Sequence, residues 1–258
     1  MYNISQRRSI RKYSDKEISP ELLNSLLARA EQTQTMGNLQ LYSVIITRND
    51  EMKKRLGAAH FYQPMVEDAP VVLTFCADYN RTTQWCLNRQ AQPGYDNFLS
   101  FLNAATDALL YCQTFCQLAE EAGLGLCFLG TTIYNAQQII DILNLPKLVM
   151  PVATITIGYP DEAGQVSDRL PLAAITHDEH YHNYTPADID QYYKEKEALE
   201  ENRRFVEINK KQTLAQIFTD IRYRGDECRA MSQTLLNALK QQGFISVIND
   251  VYLLLLPQ

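Results

Sequence analysis

The sequence predicts an α+β fold in which strands and helices alternate along the chain. Two short runs of β-branched and other apolar residues, 41–47 (LYSVIIT) and 71–77 (VVLTFCA), have the composition of buried strands. Between residues 98 and 122, apolar side chains recur at three- and four-residue steps, which is the period of a long helix. The strand patterns end before residue 161, so the core sheet is expected to be complete there.

Helix ends can be recognised from their capping residues. Ser19 can cap a first helix that has Pro20 in its first position and runs to about residue 31. Asn49 or Asp50 would cap a second helix, and Gly123 would end the long helix because glycine takes the left-handed conformation cheaply. The remaining expected elements are strands at 126–129 and 152–157, and helices at 136–143, around 214–221 and around 231–239.

Length and charge limit the classes of protein and partner. A chain of 258 residues with 46% hydrophobic content can bury a full core, so we expect one domain over residues 1–245 and an apolar extension over 246–258. The balance of 24 basic against 30 acidic residues gives a net charge of -6. Such a charge disfavours nucleic acid and anionic lipid, and it favours a small-molecule partner.

The chain has neither a signal-peptide pattern nor an apolar run of the length that a membrane helix needs. The six cysteines show no CxxC pairing and occur in apolar segments, as reduced core residues do. We therefore expect a cytoplasmic protein with no membrane span.

Three segments have residues suited to ligand binding. Residues 6–11 (QRRSIR) combine three guanidinium groups with a hydroxyl, a donor set suited to phosphate, although a solvated basic start is the competing interpretation. The turns at 123–125 (GLG) and 130–132 (GTT) flank a predicted strand and would let a flat ligand approach the backbone. Their spacing differs from the dinucleotide fingerprint GxGxxG. Residues 168–171 (DRLP) place a lone arginine in a polar loop.

Metal and hydrolase chemistry are less well supported by the sequence. His177, His180 and His182 lie close together, but their spacing suits no single helix face and no obvious fourth ligand is present. No motif of a nucleophilic hydrolase occurs, and His60 has no evident triad partners. We therefore expect no metal site and no catalytic side chain.

Taken in order, these segments resemble the oxygen-insensitive NAD(P)H nitroreductase and flavin reductase family. The resemblance covers roughly residues 5–245, and its motifs are RRSIRKYSDKEIS, NLQLYSVI, QPMVEDAPVVLTFCADYNR, GLGLCFLG, LNLP, GYP and RLP. It implies a mixed central β-sheet flanked by helices in a three-layer α-β-α arrangement. It also implies a tightly interlocked homodimer with an FMN at each of two subunit interfaces.

The resemblance implies roles for individual residues. The FMN phosphate and ribityl chain would be bound by Arg7, Arg8, Ser9, Arg11 and Arg169. The flavin would be contacted by Thr35, by Gln63 and, beside its reactive edge, by the turn of Phe128, Leu129, Gly130 and Thr131. Arg203 and Arg204 would receive the phosphate of NADPH. Three positions depart from the family pattern: Arg7 replaces a histidine, Ser167 a lysine beside the flavin, and Ile133 an arginine.

The activity implied is reduction of nitro compounds, quinones or flavins by NADPH or NADH, with a ping-pong hydride transfer carried out by the FMN. A reductase of free flavin would share all of these residues. Because Ser167 and Ile133 remove two positive charges, a flavin-binding redox module with little turnover is the alternative from another class.

Overall fold

The computed structural model describes residues 3–245, and the chain divides into two compact units. The first unit contains the chain up to Gln165 and again from Met231, and the second unit is Val166–Ala230. The apolar extension that we expect at 246–258 lies outside the described residues.

The first unit is built on a four-stranded sheet in the order β1-β2-β4-β3. The strands are β1 (Tyr42–Thr47), β2 (Val71–Asp78), β3 (Gly125–Leu129) and β4 (Val149–Gly158). The α+β class and the four strand positions are confirmed. The mixed character of the sheet is not found within residues 3–245, where all three strand pairings are antiparallel. Apolar runs identify strands but do not encode the direction in which they pair.

Helices precede, connect and follow these strands. Those wholly in the first unit are α1 (Pro20–Ala30), α2 (Asp50–Ala59), α3 (Pro64–Asp68), α4 (Asn80–Asn88), α5 (Phe98–Glu121) and α6 (Ala136–Leu143). The second unit contains α7 (Pro186–Ala198), α8 (Glu200–Ile208) and α9 (Leu214–Ile217), and α10 (Gly225–Gln242) begins there and ends in the first unit. Within residues 3–245, no helix combines the length and the apolar character needed to cross a membrane.

Both faces of the sheet are buried. Alternate side chains of a strand point to opposite sides, so that one strand contributes to two clusters. Leu73 and Phe75 of β2 belong to a core cluster with α1 and α5, whereas Val72 belongs to a second cluster with α2 and α6. All eight residues of β2 are buried. Helices therefore cover the sheet on two sides, which is the three-layer arrangement.

Candidate functional site

The arginine-rich N-terminal segment runs beside the strands that form one edge of the sheet. The amide of Ile10 donates to the carbonyl of Leu126 in β3 at 2.9 Å, and the amide of Ser14 donates to the carbonyl of Tyr159 at 2.9 Å. These backbone hydrogen bonds hold residues 10–14 against the end of the sheet. The segment that carries Arg7, Arg8 and Arg11 is thus fixed to the sheet.

Two glycines provide the space for this segment. A Cβ atom at Gly125 would lie 2.7 Å from the Cβ of Ile10, and one at Gly158 would lie 2.7 Å from Cδ1 of Tyr13. Any larger residue at either position would push the segment away from the sheet. At Gly125, the space that a side chain would need is therefore filled by Ile10 of the same protein. This corrects the expectation that Gly125 lets a flat ligand approach the backbone.

Arg7 and Arg8 line a cavity of about 550 Å³, together with Gly123 and the carboxylates of Glu120 and Glu162. Nη1 of Arg8 donates to the carbonyl of Ala163 at 2.8 Å, which fixes this guanidinium at the cavity wall. Nη1 of Arg7 lies 3.9 Å from Oε1 of Glu120. The cavity therefore offers guanidinium donors whose positions are set by the protein itself.

Carboxylates balance part of this positive charge. Oε1 of Glu162 accepts the backbone amides of Arg11 and Lys12 at 2.5 and 3.2 Å, and these bonds, chiefly that from Arg11, hold the pKa of Glu162 below its usual value. Burial raises the pKa of the Cys127 thiol, which the nearby guanidiniums of Arg11 and Arg7 oppose. Arg11 is thus held beside β3, and Ser9, two positions earlier in the chain, is half-buried.

At the other end of β3, the structure brings together Gln63 and Thr131. Nε2 of Gln63 lies 3.3 Å from Oγ1 of Thr131, and Nδ1 of His60 lies 2.8 Å from the same oxygen. Phe128 is exposed, Leu129 is buried, and a Cβ atom at Gly130 would meet no heavy atom of the described residues within 4 Å. This turn therefore leaves open space above its backbone.

His60 adjoins the candidate site through Thr131, and the sequence analysis did not identify it. Its imidazole is fully buried, and within residues 3–245 Nε2 has no hydrogen-bond partner. Burial lowers the pKa of His60 to about 4, so that the ring is neutral near pH 7. The contact between His60 and Thr131 joins residues that are 71 positions apart in the chain. A local sequence pattern cannot predict a contact of that range.

Thr35 precedes a loop that is attached to α5 by one buried carboxylate. Oδ1 of Asp107 accepts the amide of Met36 at 2.8 Å, and Oδ2 accepts the amide of Leu41 at 3.1 Å. Between these two anchors, Gly37, Asn38 and Gln40 have positive φ angles of 56°, 57° and 52°. Asp107, which the sequence analysis did not single out, therefore determines the path of the loop that begins at Thr35.

The remaining expected site residues belong to the second unit. Nη1 of Arg169 donates to the carbonyls of Asp168 and Ser167 at 2.8 and 3.4 Å, and the Asp168 carboxylate pairs with Nζ of Lys196 at 2.8 Å. These contacts order the loop locally.

Arg203 and Arg204 are exposed on α8 of the same unit. His177, considered as a metal ligand, uses both of its ring nitrogens within its own loop: Nδ1 accepts the amide of His182 and Nε2 lies 3.3 Å from the hydroxyl of Tyr184.

Comparison with known proteins gives consistent matches. Residues 4–159 match the sequence profile of the nitroreductase family. A solved structure from Bacteroides fragilis NCTC 9343 is 56% identical, with a TM-score of 0.93 over 94% of this chain and 99% of that chain. The FMN reductase [NAD(P)H] of Bacillus subtilis is 33% identical over 70% of this chain and 74% of its own, and a Cr(VI) reductase of Pseudomonas sp. is 31% identical over 67% and 71%.

Proposed function

The chain belongs to the nitroreductase family, and from this premise we propose that it is an FMN-dependent NAD(P)H oxidoreductase that reduces nitro compounds, quinones or flavins. The observation that carries the proposal is the cavity lined by Arg7 and Arg8 beside β3. A dianionic phosphate needs charge-assisted donors in fixed positions, and guanidinium groups supply them in a planar fork. The names of the relatives as flavin and chromate reductases support the same class of reaction.

The residues of this chain suit both the phosphate end and the ring end of FMN. FMN joins a terminal phosphate to a flat ring through a ribityl chain, so its ends need two separate sites. Gly125 and Leu129, at the two ends of β3, are four strand positions apart, which is about 13 Å at roughly 3.3 Å per residue. The guanidiniums near the first end suit the phosphate, and the open backbone of Gly130 at the second suits a flat ring.

Bound FMN would supply the redox chemistry, taking two electrons from NAD(P)H and passing them to the acceptor in a second step. With a quinone as acceptor, NAD(P)H, a proton and the quinone give NAD(P)+ and the hydroquinone. The protein's residues would orient and bind the cofactor: Arg7, Arg8, Ser9 and Arg11 would hold the phosphate end, and Thr35, Gln63 and Thr131 would adjoin the ring. Because the two substrates use one site in turn, we expect ping-pong kinetics.

NADPH binding is proposed for the exposed pair Arg203 and Arg204 on α8, whose guanidiniums can pair with a phosphate that NADH lacks. Alanine at both positions should raise KM for NADPH several-fold and leave KM for NADH unchanged. Steady-state kinetics with both donors test this, and an equal effect on the two donors would contradict it.

The exposed leucines of α5 support the proposal that the protein is a homodimer. Leu99, Leu102, Leu109 and Leu110 leave a large apolar surface of the helix uncovered in the single chain. Such a surface on a globular protein indicates an interface. All six cysteines are free, which supports a reducing, cytoplasmic compartment. We further propose that residues 1–245 form the functional domain and 246–258 an extension to it.

Anaerobic mixing of the purified holoprotein with NADPH or NADH tests the function. An oxidoreductase will bleach the flavin absorbance near 450 nm within seconds and recover it when a quinone or free FMN is added. A yellow protein that neither donor bleaches would be the flavin-binding redox module instead. A screen of nitro compounds, quinones and flavins on the reduced protein then ranks the acceptors.

A further inference from the structure

A buried histidine and a glutamine converge on one hydroxyl in the turn after β3. Nδ1 of His60 lies 2.8 Å from Oγ1 of Thr131, and Nε2 of Gln63 lies 3.3 Å from the same oxygen. A threonine hydroxyl can accept two hydrogen bonds and donate one. Which groups donate to this oxygen therefore decides what remains for a bound ligand.

The orientation of the Gln63 amide follows from its second contact. Nε2 of Gln63 also lies 3.1 Å from the backbone carbonyl of His60. Because a carbonyl oxygen can only accept, the NH₂ group of the amide must face it, and the second hydrogen of that group can be donated to Thr131. Gln63 is therefore a donor to Oγ1 of Thr131.

The burial of His60 determines which of its ring nitrogens carries the proton. Burial lowers the pKa of His60 to about 4, so the ring is neutral near pH 7 and only one nitrogen is protonated. Within the described part of the chain, Nε2 is buried and has no hydrogen-bond partner. A proton on Nε2 would leave a buried N–H group unpaired, which is rarer in proteins than an unpaired acceptor. The proton therefore belongs on Nδ1, which donates to Oγ1 of Thr131.

The protein then uses both acceptor sites of the Thr131 hydroxyl but leaves its hydrogen unused. Thr131 is half-buried, and within residues 3–245 its hydroxyl has no contact other than those with His60 and Gln63. Gly130, the preceding residue, borders open space. The hydroxyl hydrogen is thus available to a ligand bound at this turn.

We propose that His60 is a positioning residue that holds the Thr131 hydroxyl as a hydrogen-bond donor to the flavin ring of bound FMN. The inference rests on the proposed function, since it assigns a contact to that cofactor. A reduced flavin ring carries more negative charge than an oxidised one, and a hydrogen bond to a charged acceptor is the stronger. The donor therefore stabilises the reduced ring more than the oxidised ring and raises the midpoint potential of FMN.

The position of the proton on His60 can be measured directly. The chain has 4 histidines, so the substitutions His177→Gln, His180→Gln and His182→Gln leave His60 as the only imidazole. Nitrogen NMR of this isotope-labelled holoprotein near pH 7 distinguishes the two tautomers. We expect the proton on Nδ1. A proton on Nε2 would mean that the Thr131 hydroxyl donates to His60, and it would overturn the proposal.

The effect on the cofactor is measured as the FMN midpoint potential of single variants. Thr131→Val removes the hydroxyl and keeps the shape of the side chain, whereas Thr131→Ser keeps the hydroxyl. His60→Leu removes the donor that fixes the hydroxyl. Thr132→Val is the matched control, because the hydroxyl of Thr132 lies in the same turn and donates to the carbonyl of Leu129 at 2.9 Å.

In Thr131→Val, the affinity for reduced FMN should fall about tenfold relative to that for oxidised FMN, which lowers the midpoint potential by about 30 mV in a two-electron couple. His60→Leu should shift the potential in the same direction. Thr131→Ser and Thr132→Val should keep the wild-type potential.

An unchanged potential in Thr131→Val would overturn the contact with the ring. A potential that falls in Thr131→Val but not in His60→Leu would overturn the positioning role of His60. If His60→Leu does not fold, the tautomer of His60 and the two Thr131 variants decide the proposal. A protein that binds no FMN would refute the proposed function, whereas one that binds FMN with unchanged potentials would refute this inference alone.

Discussion

Replacing Asp107 with asparagine should loosen the loop that begins at Thr35 without changing the shape of the buried side chain. Asp107 is fully buried, and each of its carboxylate oxygens accepts one backbone amide, from Met36 at 2.8 Å and from Leu41 at 3.1 Å. In the variant, the amide group can accept only through its oxygen. One backbone amide would then face an NH₂ group, and the loop between the anchors would be held at one end only.

The magnitude follows from the bonds that are lost. A hydrogen bond to a charged group contributes about 1.5–3 kcal/mol, and a buried donor without an acceptor adds about 1–3 kcal/mol. A total loss of about 3 kcal/mol corresponds to a fall in melting temperature of roughly 6–12 °C for a protein of this size. Because Thr35 is proposed to contact the flavin, the FMN dissociation constant should also rise.

The assay is thermal unfolding of Asp107→Asn with and without FMN, together with titration of the apoprotein. Thr106→Ala is the control, since the exposed hydroxyl of Thr106 donates to the carbonyl of Leu102 on the same helix. If Asp107→Asn has the same melting temperature as the control and the wild type, the carboxylate does not hold the loop.

Three further predictions concern phosphate binding, assembly and pH. Arg8→Ala should weaken FMN about 10- to 100-fold but riboflavin hardly at all; equal losses for both ligands in titration would remove Arg8 from the phosphate site. If the protein is the proposed homodimer, Leu102→Glu should give a monomer in light scattering, and a variant that keeps the dimer mass would place the interface elsewhere. Burial lowers the pKa of His60 to about 4. Below about pH 6.5, His60 is therefore protonated in the unfolded chain but stays neutral in the folded chain until about pH 4. Stability should therefore fall by about 2 kcal/mol between pH 7.5 and pH 5, and His60→Gln should flatten this fall in urea titrations unless the imidazole is already charged.

Elements with strong local signals could be predicted from the sequence. Ser19 caps α1 by accepting the amide of Leu22, and Asn49 caps α2 by accepting the amide of Met52. Gly123 follows α5 with a φ angle of 82°. Caps and helical periodicity are properties of neighbouring residues, which is why these boundaries lie within a residue or two of their predicted places.

Short elements without such signals were missed. The helix α3 has five residues, and α4 begins at Asn80 without a side-chain cap. The mixed character of the sheet stays a prediction, since the three strand pairings within the described residues are antiparallel and the direction of pairing depends on how the connections cross the sheet.

Candidate site residues were proposed from the sequence where a family motif includes them. Residues 7–11 and Gln63 were identified through family motifs, and the structure places Gln63 beside Thr131. His60 and Asp107 were missed because each acts on a residue 71 positions away. Contacts of that range are set by the packing of helices on the sheet, and no spacing in the sequence reveals them.

The identity and amount of the released cofactor test the central claim most directly. The purified protein, after reconstitution with a mixture of FMN, FAD and riboflavin and removal of unbound flavin, is denatured and its supernatant is analysed by mass spectrometry. The arginine-lined cavity predicts FMN at about one per chain, because its donors suit a terminal phosphate that riboflavin lacks. Recovery of FAD, of riboflavin in equal amount, or of no flavin would contradict the account.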